Sequence, residues 1–161
     1  LCIRTRRDNC PGVVDVGGGL GGPSLVLFKE NGIPYASFNG AGASTAKTKD
    51  GTLGFINKRA EAYWRFREEL DPSQQGGSAI ALPPDPQLRS DLAAATWKLT
   101  TRGIQIESKE DIKDRIGRSP DRGDAVVMAL SEGGKAAARA LSHRAGYVPK
   151  VIMAQGPRRL Q

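Results

Sequence analysis

The chain has 161 residues, 39% hydrophobic and 25% charged, which suits one domain with a buried core and no disulfide scaffold. Lys plus Arg number 24 against 17 Asp plus Glu, a net charge of +7 that favours a polyanionic partner such as nucleic acid. No apolar run approaches the ~18 residues of a membrane span, residues 1–7 lack the apolar stretch of a secretory signal, and two cysteines (Cys2, Cys10) with one histidine (His143) suggest a reducing setting without a zinc cluster or a Ser-His-Asp triad.

Residues 1–12 are basic and unpatterned. Val13-Val14-Asp15-Val16 reads as a short buried strand ending in the glycine turn Gly17–Gly22. Pro23 suits the first turn of a helix over 24–31, closed by Gly32, although its Leu-Val-Leu-Phe run also fits a strand. Residues 34–38 read as a second strand, and the Gly/Ala/Ser/Thr-rich stretch 39–54 as a mobile loop. The clearest helix covers 57–70: Ile56, Ala60, Tyr63, Trp64 and Leu70 recur at helical spacing, with Tyr63 and Trp64 read as core. Residues 78–82 read as a short strand, and the Pro83–Pro86 turn leads into a helix near 86–94. A hairpin follows, 97–100 with 104–107 around Arg102-Gly103. Ser108 caps a helix over 109–116 in a capping-box arrangement with Asp111, and Gly117 ends it. Ser119-Pro120 opens a last helix expected to run to about Leu130. From 132 on, six Lys/Arg stand against one acid, Glu132; this extension reads as helical near 135–143 and unstructured after it.

Two glycine motifs bear on phosphate chemistry. Gly17-x-Gly19-x-x-Gly22 follows a strand as a dinucleotide-binding turn does, but the acid due about 20 residues later is replaced by Phe38 and Asn39. Residues 41–48 carry Ala where a P-loop needs its two glycines, so a nucleoside triphosphate site is not supported. The acids are more informative. Asp15 stands in an otherwise all-Val strand, where it needs a metal, an ion pair or hydrogen bonds from the glycine turn. Asp121 and Asp124 lie three apart at the head of a helix, on a stripe continued by Ala125 and Met128, so both are expected to face inward. First-turn acids also complement the helix dipole. Convergent carboxylates without His or Cys suit Mg²⁺ or Mn²⁺, in pairs that hydrolyse phosphodiesters.

Five segments occur in order: Val14-Asp15-Val16 with the Gly17–Gly22 turn, Asn57-Lys58-Arg59-Ala60-Glu61, Ile80-Ala81-Leu82-Pro83-Pro84-Asp85, residues 107–113 from Glu107 to Lys113, and Gly117-Arg118-Ser119-Pro120-Asp121-Arg122-Gly123-Asp124-Ala125. Together they resemble the nuclease domain of the large terminase subunit of tailed bacteriophages, over about residues 13–131. The resemblance implies a ribonuclease H-like α/β fold, a mixed sheet flanked by helices. It implies two-metal cleavage of concatemeric viral DNA during packaging, with Asp15, Asp121 and Asp124 as catalytic metal ligands. It implies double-stranded DNA as substrate, and the terminase small subunit, the portal and an ATPase motor domain as partners in the bacterial host cytoplasm. Lys58, Arg59, Lys109, Arg115 and Arg118 are candidates for the phosphate-facing surface by charge.

The family carries a further acid on a strand upstream of Asp15. Residues 1–12 do not read as that strand, and Asp8 sits in an unpatterned stretch. The expected organisation is therefore a ragged segment 1–12, a nuclease-like domain 13–131 lacking its first strand or strands, and a basic extension 132–161, with no preceding ATPase domain. A sheet shortened in this way exposes an edge that invites association. The alternatives are a Rossmann-type nucleotide-binding module built on the Gly17–Gly22 turn, and a non-catalytic, DNA-binding prophage remnant.

Overall fold

The computed structural model describes residues 10–142 except Leu20 and Gln75. The expected disorder after 143 and the ragged character of residues 1–9 lie outside the described residues. The chain forms a mixed α/β fold in the order β1 (Gly12–Asp15), α1 (Gly22–Glu30), β2 (Tyr35–Phe38), α2 (Lys58–Leu70), α3 (Pro86–Ala94), β3 (Trp97–Thr100), β4 (Gly103–Ile106), α4 (Lys109–Ile116) and α5 (Asp121–Ser142). Among the described residues, no helix is long and apolar enough to cross a membrane.

β1 and β2 pair in parallel, Val13 opposite Ala36 and Asp15 opposite Phe38, joined by the crossover α1. Gly12 lets the Phe28 ring of α1 lie against β1, where a β-carbon would force the ring to move. β3 and β4 form the expected antiparallel hairpin, Trp97 opposite Ile106 and Leu99 opposite Ile104. Gly103 turns it with φ of +118°, backed directly by the Gly54 carbonyl, so a side chain is excluded on two counts.

α2 is packed on two sides, and that organises the molecule. Tyr63 and Phe66 join Phe38 of β2 and Val127 of α5 in one cluster. Ala60 joins Phe55 and Ile104 in the other, under the hairpin. Asn57 caps the helix by accepting from the Ala60 N–H at 2.8 Å. The carbonyls of Gly42 and Gly40 accept from the first N–H groups, Lys58 and Arg59, at 2.8 and 2.9 Å. Residues 39–54 are thus docked rather than loose. Ser44 Oγ also donates to Glu61 at 2.8 Å, and the Thr48 N–H bonds the Leu53 carbonyl at 2.9 Å.

Two further expectations are corrected. Residues 78–82 form no strand: Ile80 and Leu82 pack on the core, but the segment is tied to the end of α2 through Ala79 N–H and the Glu69 carbonyl at 3.1 Å. The apolar side chains are partly buried as a strand's would be, but no neighbouring strand pairs with the segment among the described residues. The last helix does not stop near Leu130; α5 continues unbroken to Ser142, so residue 131 is not an element boundary. Gly133-Gly134 lowers helix propensity there without ending the helix.

Candidate active site

A cleft of about 560 Å³ opens between the ends of β1 and β2, the head of α2, the hairpin and the heads of α4 and α5. Asp15, Arg59, Tyr63, Glu107, Lys109 and Asp124 all contribute to its wall. These residues come from four separate stretches of sequence.

Asp15 ends β1, where the strand hands over to the glycine turn. Its Oδ1 accepts from the Gly17 N–H at 2.8 Å. The turn amide thus folds back onto the carboxylate, which is the hydrogen-bonded state weighed for this residue and occupies the donor that a pyrophosphate would use. Among the described residues, no backbone N–H bonds its other oxygen.

Asp124 faces inward as expected, with its side chain 14% exposed. Oδ1 accepts from the Tyr63 hydroxyl at 2.5 Å and from Arg59 Nη2 at 3.3 Å. Oδ2 faces Lys109 Nζ at 3.3 Å. Asp121 departs from expectation: its side chain is 73% exposed and does not line the cleft. The buried stripe of α5 runs through Gly123, Asp124 and Val127, whereas Ala125 is exposed. The helix is therefore rotated from the face assumed for Asp121 and Ala125, which leaves Asp121 at the rim. It still reaches Lys109 Nζ at 2.8 Å and accepts from Ser119 Oγ at 2.7 Å. The Lys109 and Ser119 hydrogen bonds hold its carboxyl below the ordinary carboxylate range. Partial burial works against the charge of Lys109, but its hydrogen bond to Asp121 and the charges of Asp124 and Asp121 outweigh that, and its pKa is raised.

The lysine ammonium thus stands where two carboxylates converge on one cation, which is the observation that bears on metal fit. The donor set is carboxylate oxygen only, the chemistry of hard divalent ions. Among the described residues, no three acids already stand close enough together to form a metal cluster. Asp15 shares the cleft with Asp124, and the Lys109 ammonium stands beside Asp124.

The other basic candidates divide. Arg59 is in the cleft, bonded to Asp124 and, at 2.5 Å, to the Glu107 carbonyl, with its guanidinium 4.8 Å from the Tyr63 ring centre. Lys58 stands at the head of α2, half-exposed, paired with Glu61 at 2.9 Å. Arg115 and Arg118 are each tied to a carboxylate, with side chains 45% and 33% exposed. Arg115 bonds Glu107 at 2.6 Å and the Ala94 carbonyl. Arg118 pairs with Asp91, whose side chain is fully buried. Sequence charge alone does not distinguish a cation that faces solvent from one that closes a fold.

Three residues escaped the sequence reading. Tyr63 was assigned to the core; its ring is there, but its hydroxyl reaches the site, and burial with the charge of Asp124 raises its pKa. Its i, i+4 spacing from Arg59 was the available signal. Lys98, exposed on the cleft wall, gave no signal beyond its strand. Asp91 of α3 accepts from Arg118 and from the N–H groups of Arg122 and Gly123, at 3.1 and 3.3 Å. It therefore caps α5 from another element, in place of the expected Ser119.

No protein-family model matches the sequence, and no curated protein matches it either. Solved structures do. The nuclease domain of the large terminase subunit gp2 of bacterial virus Sf6 superposes with a TM-score of 0.58 at 21% identity, covering 80% of this chain and 67% of that one. A lysine-to-alanine variant of that domain with manganese gives 0.58 at 20% identity, over 80% and 68%. The same variant with calcium gives 0.59 at 20% identity, over 80% and 67%. The chain has the ribonuclease H-like fold of these terminase nuclease domains.

Proposed function

We propose that this chain is the nuclease domain of a phage-type large terminase subunit, hydrolysing phosphodiesters of double-stranded DNA with Mg²⁺ or Mn²⁺. The observation that carries the reading is that Asp15 and Asp124, 109 positions apart, line one cleft beside a lysine already serving as counter-cation. The fold-level likeness, with manganese and calcium in the related structures, supports the metal class by analogy.

Asp15 and Asp124 are the principal ligands in this reading, and Asp121 contributes from the rim. A bound dication supplies charge neutralisation at the phosphate and acidifies the attacking water. The chain's own residues do the remainder. Arg59 and Tyr63 orient Asp124. Lys109 balances the acids and, with a divalent ion bound to them, would be available to a phosphate oxygen. Lys98 and Lys58 lie where a polyanion would run, and Arg115 and Arg118 are withdrawn from that role. DNA packaging, with a small subunit, a portal and an ATPase motor as partners, is the biological setting that the reading implies.

The test is nicking of supercoiled plasmid in Mn²⁺ and in chelator. Asp15→Asn and Asp124→Asn should each lower the metal-dependent rate at least about a hundredfold, and Asp121→Asn should lower it less. Undiminished cleavage by both of the first two variants would overturn the reading. A non-catalytic DNA-binding remnant instead predicts no wild-type cleavage in Mn²⁺ with DNA binding retained.

A further inference from the structure

The two oxygens of Asp124 are treated differently by the protein. Oδ1 takes both side-chain donors of α2, the Tyr63 hydroxyl at 2.5 Å and Arg59 Nη2 at 3.3 Å. Oδ2 takes none from α2 and is turned to Lys109 Nζ. Arg59 is itself fixed, by the Glu107 carbonyl at 2.5 Å and by the Tyr63 ring beneath its guanidinium. Tyr63 is fixed by burial against Phe38, Phe66 and Val127. Neither donor depends on Lys109, so the arrangement persists when the ammonium leaves.

A carboxylate with one oxygen saturated by two donors, one of them charged, has lone pairs to spare only on the other oxygen. Resting on the proposed metal-dependent nuclease reading, we propose that Tyr63 and Arg59 are positioning residues that make Asp124 a one-oxygen ligand, presenting Oδ2 alone to the divalent cation. The hydroxyl of Tyr63 holds the carboxylate plane, so that Oδ2 would be pre-aimed for a divalent cation while Oδ1 stays engaged by α2. Partners of this kind, behind a metal ligand, typically change metal affinity by about 10–100-fold when removed.

The experiment is Mn²⁺ binding to the metal-free chain, followed by the paramagnetic resonance signal of free Mn²⁺, for wild type, Tyr63→Phe, Asp124→Asn and the double variant. Tyr63→Phe keeps the buried ring, and its metal-free melting temperature and far-ultraviolet spectrum check the fold. The expected result is about tenfold weaker Mn²⁺ binding in Tyr63→Phe, with the cleavage rate recovering at saturating Mn²⁺. In the Asp124→Asn background the same substitution should have no further effect, because the oxygen that it positions is gone. Unchanged Mn²⁺ affinity in Tyr63→Phe overturns the proposal. So does an equal loss in both backgrounds, which marks a general packing defect. If wild type itself binds no Mn²⁺, the nuclease reading fails and this inference falls with it, an outcome distinct from wild-type binding that the variant leaves intact.

Discussion

Asp91 shows how much one side chain can organise. It is completely buried, yet charge and hydrogen bonding surround it: the Arg118 guanidinium and two N–H groups from the first turn of α5. Those N–H groups are the ones a helix leaves without intrahelical partners. Asp91→Ala should therefore strand both donors and the arginine, costing about 3 kcal/mol in urea unfolding. Arg118 retains some solvent access, which keeps the cost at the lower end for a buried pair. Asp91→Asn should cost less, because the amide oxygen can still accept. In the sequence Asp91 was an ordinary polar residue in a short helix, and nothing local marks a carboxylate that caps a helix thirty residues later. Asp15 and Asp124 were legible, since an acid among valines and an acid opening an apolar run each conflict with their surroundings. Asp121 misled, because two acids three apart share a face only within the width of a helical stripe, and the packing of Gly123 against α3 sets the rotation.

At the scale of elements, α5 meets α3 through Gly123, where a β-carbon would lie 2.9 Å from the Asp91 β-carbon. Helix propensity alone favours Gly123→Ala by about 1 kcal/mol. The close contact reverses the sign, and the variant should be destabilised by about 1–2 kcal/mol in the same urea experiment. The head of α4 is tied in another way. Glu107 joins Arg115 and Thr96, and the Arg115 hydrogen bonds hold its pKa at about 2, against 4.5 unperturbed. A carboxylate depressed on folding contributes stability that is complete above about pH 4.5 and disappears as pH falls toward 2. In Glu107→Gln, the melting temperature should fall less steeply across that window than in wild type. The helices and the hairpin were legible because caps, proline and glycine punctuate them: Ser108 and Gly117 act as expected, and Asn57 and Asp85 cap their helices as well. The segment 78–82 was not, since a strand is defined by a neighbour that its own residues do not specify.

For the molecule as a whole, the net charge of +7 says that a polyanion is attracted, and the structure narrows which cations take part. If roughly four phosphates are contacted, DNA affinity should fall on the order of a hundredfold between about 50 and 200 mM salt. Lys98→Gln should shallow that dependence by about one counterion, measured by fluorescence anisotropy with labelled duplex. Arg115→Gln should leave the slope unaltered, its charge being spent on Glu107 and the Ala94 carbonyl. Overall architecture was readable from ordered motifs spread along the chain, while the commitment of each arginine was decided by tertiary packing.

The ammonium of Lys109 between Asp121 and Asp124 has a kinetic corollary. Bare carboxylates in a recess repel an incoming phosphate chain at close range. Here lysine and arginine accompany the acids, so the approach barrier is largely cancelled in the resting protein. On the proposed nuclease reading, DNA and the divalent ion would then be under no electrostatic obligation to arrive in a set sequence, and mixing them with the protein in either order should give the same cleavage rate.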